Sequence, residues 1–179
     1  MVLDNMMKRS SLVIGTLGVL VLWICAWLFF PPVVSSNARI PNSADAIARG
    51  EYLVIAGGCI SCHRSVEDEV SFAGGLGIET EFGTFYAPNI TPDIETGIGS
   101  WSPQDFLRAL KHGRTPTGNF YYPTFPYRAY AGLIEQDVLD MAAYLLSLEP
   151  VSYRAPEPQV SRWLFRWTIA GWNRLADLS

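Results

Sequence analysis

The segment Cys59-Ile60-Ser61-Cys62-His63 constrains this chain more than any other stretch of its 179 residues. It places two thiols three positions apart with an imidazole directly behind the second. A plain C-x-x-C pair serves elsewhere as a redox dithiol or as half of a zinc site. The chain has only three cysteines and two histidines, so no second cysteine pair exists for zinc, and no thioredoxin-like βαβ pattern surrounds the motif. Three cysteines are also too few for a disulfide scaffold. What remains is the C-x-x-C-H pattern of covalent haem attachment, in which each thiol forms a thioether with one haem vinyl group. His63 is then placed under the iron as its proximal ligand. The expected cofactor is one covalently attached haem c, held by Cys59 and Cys62 and ligated by His63.

The remaining patterning fits a small domain completed by such a group. At 49% hydrophobic and 17% charged residues the chain is too apolar for a disordered one. Its net charge of −4, without a basic run, disfavours nucleic acid as a partner. Three segments predict helices. The first runs from about Ala44 to Ala56, with Ser43 as N-cap, Asp45 in the first turn and Gly57-Gly58 as stop. The second has Ser102 as N-cap, Pro103 at the first position, Asp105 in the first turn and Gly113 as terminator. The third runs from about Glu135 to Leu148 with an apolar stripe of Val138, Met141, Ala142, Leu145 and Leu148. Between the first two lies a Gly-rich region with a short hairpin expected around Glu81–Tyr86. Three short helices joined by long loops need a metal or a large cofactor to complete a core.

Ahead of this unit, Leu12 to Phe30 holds no charged residue. At about 1.5 Å per residue the run is about 28 Å long, close to a bilayer core of about 30 Å. It predicts an N-terminal transmembrane helix preceded by Lys8 and Arg9, with Trp23 and Trp27 toward its far end and Pro31-Pro32 as the stop. Cys25 falls inside it. The positive-inside bias keeps residues 1–30 as cytoplasmic start and anchor and exports everything after Pro32. A cleaved signal peptide is the competing reading, but this run is longer than a signal core and no convincing A-x-A site follows it. Residues 31–43 are then a tether, 44–150 the haem domain, and 151–179 a linker followed by a C-terminal amphipathic helix over Val160–Leu178. That helix carries Trp163, Leu164, Trp167, Gly171, Leu175 and Leu178 on one side with Arg162 and Arg166 beside it. It suits the bilayer interface, a docking surface on a catalytic subunit, or packing on the haem domain.

From Ala48 to about Asn173 the chain resembles the membrane-associated cytochrome c subunits of bacterial periplasmic dehydrogenases, of the alcohol, aldehyde, gluconate and nicotinate kinds. The resemblance is carried by Arg49-Gly50-Glu51-Tyr52-Leu53, the C-x-x-C-H motif, Phe72-Ala73-Gly74-Gly75-Leu76 and Ala87-Pro88-Asn89-Ile90-Thr91-Pro92-Asp93. Thr96-Gly97-Ile98-Gly99, Trp101-Ser102, Tyr122-Pro123-Thr124-Phe125-Pro126-Tyr127, Asp137-Val138, Ala143-Tyr144-Leu145 and Ala170-Gly171-Trp172-Asn173 extend it. It implies a mainly α, class I cytochrome c fold with long loops, in which the first and last helices cross near the haem edge. Gly50 would permit that crossing, Tyr144 would pack there, and Asn89 and Trp101 would lie near the haem propionates. Members of that family are multihaem, whereas this chain ends where a second haem domain would begin, so the expectation is one haem unit with its own anchor, single-pass in the bacterial inner membrane with the haem domain in the periplasm. Such a protein does no substrate chemistry and passes single electrons between a dehydrogenase subunit and a respiratory acceptor.

The family's sixth iron ligand is a methionine in Tyr-Pro-x-Met-Pro-Tyr, or one a few residues further on. This chain has Phe125 and Leu133 at those places, and no Met, His, Lys or Cys stands between Gly113 and Ile134. Three options stay open: Met141, which also reads as a core filler; His112, which also reads as a solvated helix end; and an open or water-bound iron. An open site leaves a second function available, a haem-based ligand binder or sensor, and a third is a structural anchoring subunit of a redox complex. Between Ile40 and Pro150 fourteen acidic residues face six basic ones. That net −8 suits a solvated surface, the simpler account of Glu67-Asp68-Glu69, or steering toward a basic redox partner.

Overall fold

The computed structural model describes residues 2–29, 34, 36–66, 71–160 and 166–177. The expected stop at Pro31-Pro32, the run Glu67-Asp68-Glu69 and, on the tail, Arg162, Trp163, Leu164 and Leu178 lie outside the described residues. The chain divides into two compact units, residues 33–169 and residues 1–32 with 170–179.

In the larger unit, helix α2 (Ala44–Ala56) begins where Ser43 accepts a hydrogen bond from the Ala46 amide, as its N-cap position predicts. Helix α4 (Pro103–His112) opens with a full capping box, Ser102 and Asp105 each satisfying the other's backbone amide, and ends at Gly113 in the left-handed region. Helix α6 (Glu135–Ser147) buries Val138, Leu139, Met141, Ala142, Ala143 and Leu145. These side chains meet Val54 of α2, Phe106 and Leu107 of α4, and the loop residues Phe72 and Ile98 in one core. The α2–α6 crossing is close because Gly50 lacks a side chain: a Cβ there would run into the Asp140 carbonyl and lie 3.0 Å from Tyr144 Cβ. Asp140, 1% exposed, sits at the crossing and accepts from Arg49 Nε and Gln136 Nε2, both at 2.8 Å.

Two short helices carry no local signal in the sequence, α3 (Cys59–His63) and α5 (Tyr127–Tyr130). The hairpin starts at Gly77 rather than Glu81, with β1 (Gly77–Thr80) against β2 (Gly83–Tyr86). It gains a third antiparallel strand, β3 (Gln159–Val160), beside Gly83 and Thr84. This corrects two expectations. Residues 151–160 are a strap bonded to the domain rather than a free linker, and Val160 ends a strand rather than starting a helix. The tail helix α7 is Arg166–Asp177, with Ile169, Ala170 and Asn173 buried and Trp172 exposed. The tether is also shorter than expected. Val34 and Ile40 pack on the core, and the Ser36 hydroxyl donates to Glu135 while Gln104 donates to the Ser36 carbonyl, each at 2.5 Å.

Helix α1 (Val2–Phe29) carries exposed apolar side chains from Leu12 to Trp27, with Cys25 exposed among them. Among the described residues no helix is long and apolar enough to cross a membrane.

Candidate functional site

The C-x-x-C-H motif forms a single helical turn, and this follows from its flanks. Gly57 caps α2, and Gly58 at φ +68° redirects the chain into α3. On one turn, positions three apart share a face, so Cys59 and Cys62 are neighbours. Both are free thiols, half-buried. Burial pushes the Cys59 thiol up to about 11, which keeps it protonated at neutral pH.

His63 is oriented by one contact. Its Nδ1 lies 2.8 Å from the Pro88 carbonyl oxygen, and a carbonyl only accepts, so Nδ1 carries the proton and donates. Burial holds the imidazole's pKa below its ordinary value, the Pro88 contact opposing that shift. The ring is therefore neutral, and Nε2 keeps its lone pair. A fixed tautomer with a second partner behind it is how proteins present a histidine to a metal. Two neighbouring thiols and such a histidine are the donor set that haem c requires. Among the described residues no cluster of His, Cys, Asp and Glu is arranged for a bare metal ion.

The Pro88 carbonyl is itself held. The Gly74 amide donates to the His63 carbonyl at 2.9 Å, the Gly75 amide to Ala87 at 2.8 Å, and the Ile90 amide to Phe72 at 3.0 Å. Gly74 has φ +77°, and a Cβ there would stand 2.5 Å from both the Ala87 and Pro88 oxygens. Pro88 and Gly74 fall within the sequence resemblance, which assigns neither of them a role. The missing signal was the pairing of 72–76 with 87–90, which no local pattern announces.

Asn89, which the resemblance places near a propionate, has its hydrogen-bond partners within the protein. It is 3% exposed and its amide is spent inside the protein. Nδ2 donates toward Val151 O at 2.7 Å, Thr96 Oγ1 at 3.1 Å and Tyr153 O at 3.3 Å, and Oδ1 accepts from the Thr91 amide and hydroxyl. Trp101 packs edge-on against Phe106 at 5.3 Å.

The stretch from Gly113 to Leu133 carries a row of partly buried aromatic rings. Phe125 lies between Tyr121, edge-on at 5.3 Å, and Tyr130, nearly parallel at 6.0 Å. Tyr130 donates to the Gly57 carbonyl at 2.8 Å, beside the motif. Burial raises the pKa of both tyrosines, with Asp105 adding for Tyr121 and the two cysteines for Tyr130, so both stay neutral phenols. Met141 is 2% exposed and packed in the core of α6. His112 is the half-buried last residue of α4.

A cytochrome c family profile matches residues 47–149. The chain is 40% identical over 174 residues to a diheme cytochrome c-type protein of Cereibacter sphaeroides, covering 94% of this chain and 58% of that one. It is 44% identical over 133 residues to a nicotinate dehydrogenase subunit of Pseudomonas putida, covering 73% of this chain and 11% of that one. It is 41% identical over 129 residues to the gluconate 2-dehydrogenase cytochrome c subunit of Pantoea cypripedii, covering 71% and 29%. The chain thus spans from about a tenth to somewhat over half of the length of these relatives.

Proposed function

Because this chain belongs to the cytochrome c family, and membership implies a covalently bound haem c, we propose that it is a single-haem electron carrier serving a dehydrogenase. It passes one electron at a time between a periplasmic dehydrogenase subunit and a respiratory acceptor. The haem iron, once bound, supplies the one-electron couple. The chain supplies the rest. Cys59 and Cys62 attach the group, His63 ligates it through Nε2, and Pro88 fixes the ring. The observation that carries this reading is the joint geometry of the Cys59–His63 turn and the 2.8 Å His63–Pro88 contact. Relatives named as dehydrogenase subunits support the choice of partner.

Membrane anchoring is part of the proposal. It rests on the sequence alone, on the uncharged run Leu12–Phe30; the described part of α1 does not by itself meet the length and apolarity of a membrane span. Lys8 and Arg9 before that run orient the haem domain toward the periplasm of a bacterial inner membrane.

A second reading concerns the sixth iron position. The distal stretch offers Phe125 between two neutral phenols, and Met141 is spent on packing. An iron without a thioether partner has a lower potential and an open face for a small neutral ligand. Electron paramagnetic resonance of the ferric holoprotein separates the alternatives. The expected result is a high-spin signal that is unchanged in Met141→Ala and His112→Ala. A low-spin signal lost in either variant would identify that residue as the ligand and remove the ligand-binding reading.

A further inference from the structure

We propose that residues 151–160, which follow the stretch matched by the family profile, tune His63 through Asn89, and that Asn89 is a positioning residue for the iron ligand. The proposal rests on His63 ligating haem.

The hydrogen bond on His63 ends on one carbonyl, and that carbonyl is fixed from two sides. On one side stands the Gly74-Gly75 backbone. On the other stands Asn89, the residue that completes the Pro88 peptide. Its side chain reaches across about sixty positions of sequence to the carbonyls of Val151 and Tyr153. The strap answers in kind. The Val151 amide donates to Thr91 Oγ1 and the Tyr153 amide to Thr96 Oγ1, both at 3.1 Å. Thr91 and Thr96 are the same two residues that bond Asn89. The Tyr153 ring closes the other side as well: a Cβ on Gly75 would lie 2.7–3.0 Å from its Oη, Cε1 and Cζ. Strand β3 then ties the far end of the strap to β2. The strap therefore braces both neighbours of the Pro88 carbonyl.

Hydrogen bonds weaken steeply as distance and angle degrade. The partner behind a ligating histidine sets the basicity of the ring. A firmly held Pro88 carbonyl draws the Nδ1 proton, makes the imidazole a stronger donor and favours ferric iron. A loosened strap lets the carbonyl drift, so the ring donates less and the potential rises. Had Asn89 served only the fold, its loss would lower stability and leave the iron untouched.

The test uses the full-length holoprotein in detergent, with Asn89→Ala, Tyr153→Ala and Tyr153→Phe. Two readouts are taken: the reduction potential, and the solvent-exchange rate of the His63 Nδ1 proton by nitrogen-15 histidine NMR. The reduced protein is held under carbon monoxide, which leaves the iron diamagnetic whichever group takes the sixth position. With only two histidines in the chain the spectrum is simple to assign. Asn89→Ala and Tyr153→Ala are expected to exchange several-fold faster and to show higher potentials. Tyr153→Phe, which keeps the ring over Gly75, is expected to match the parent. Parental exchange and potential in Tyr153→Ala and in any Asn89→Ala that folds overturn the proposal. Should Asn89→Ala fail to fold, Asn89→Asp, which keeps the Oδ1 acceptor and loses the Nδ2 donor to Val151 and Tyr153, takes its place in the same comparison. A parent protein without covalent haem refutes the haem reading itself and is seen before any variant is made.

Discussion

Asp93 shows what a single side chain does for the loop that follows Pro88. Its Oδ1 accepts from the Thr96 amide at 2.7 Å and the Thr96 hydroxyl at 2.6 Å, and these bonds hold its pKa below the ordinary carboxylate value. A depressed folded pKa adds stability above the unfolded value of about 3.9, and that stability is lost as pH falls through the folded one. Asp93→Asn is therefore expected to be less stable than the parent near neutral pH, the gap closing below about pH 4. Urea unfolding at several pH values reads this, and a gap independent of pH would refute it. The motif residues Cys59, Cys62 and His63 were legible because their chemistry is local. The partners of Asn89, Val151 and Tyr153, were not legible because they lie about sixty positions along the chain, where no spacing rule reaches.

At the scale of elements, caps and stops were readable and long-range approach was not. Ser43, the Ser102–Asp105 pair and Gly113 marked α2 and α4, since capping is settled within four residues. The apolar stripe marked α6. Strand β3 escaped because two residues carry no alternation, and its pairing depends on β2 some seventy positions away. The α2–α6 crossing joins sequence and packing in one residue. Alanine in place of glycine within a helix ordinarily stabilises by about 1 kcal/mol. At Gly50 the added methyl group collides with the Asp140 backbone, and overpacking of that kind costs about 1–3 kcal/mol. Gly50→Ala is thus expected to be destabilised in urea titrations, whereas a stabilised variant would mean that the helices do not cross there.

Residues 33–169 form a small helical domain with a strapped three-stranded sheet, in which the fold orients His63 beside a cysteine pair. Its acidity between Ile40 and Pro150 was plain from composition. The strap that turns residues 151–160 into part of the domain emerged only from the fold. The account depends above all on Cys59 and Cys62 carrying a covalent group, and the intact mass of the full-length chain, produced in cells with haem-maturation machinery and measured after denaturation, tests this most directly. The expected mass is that of the chain plus a single haem, falling to the bare chain in a Cys59→Ala, Cys62→Ala double variant. A parent protein that flies at the bare-chain mass under those conditions would contradict the account.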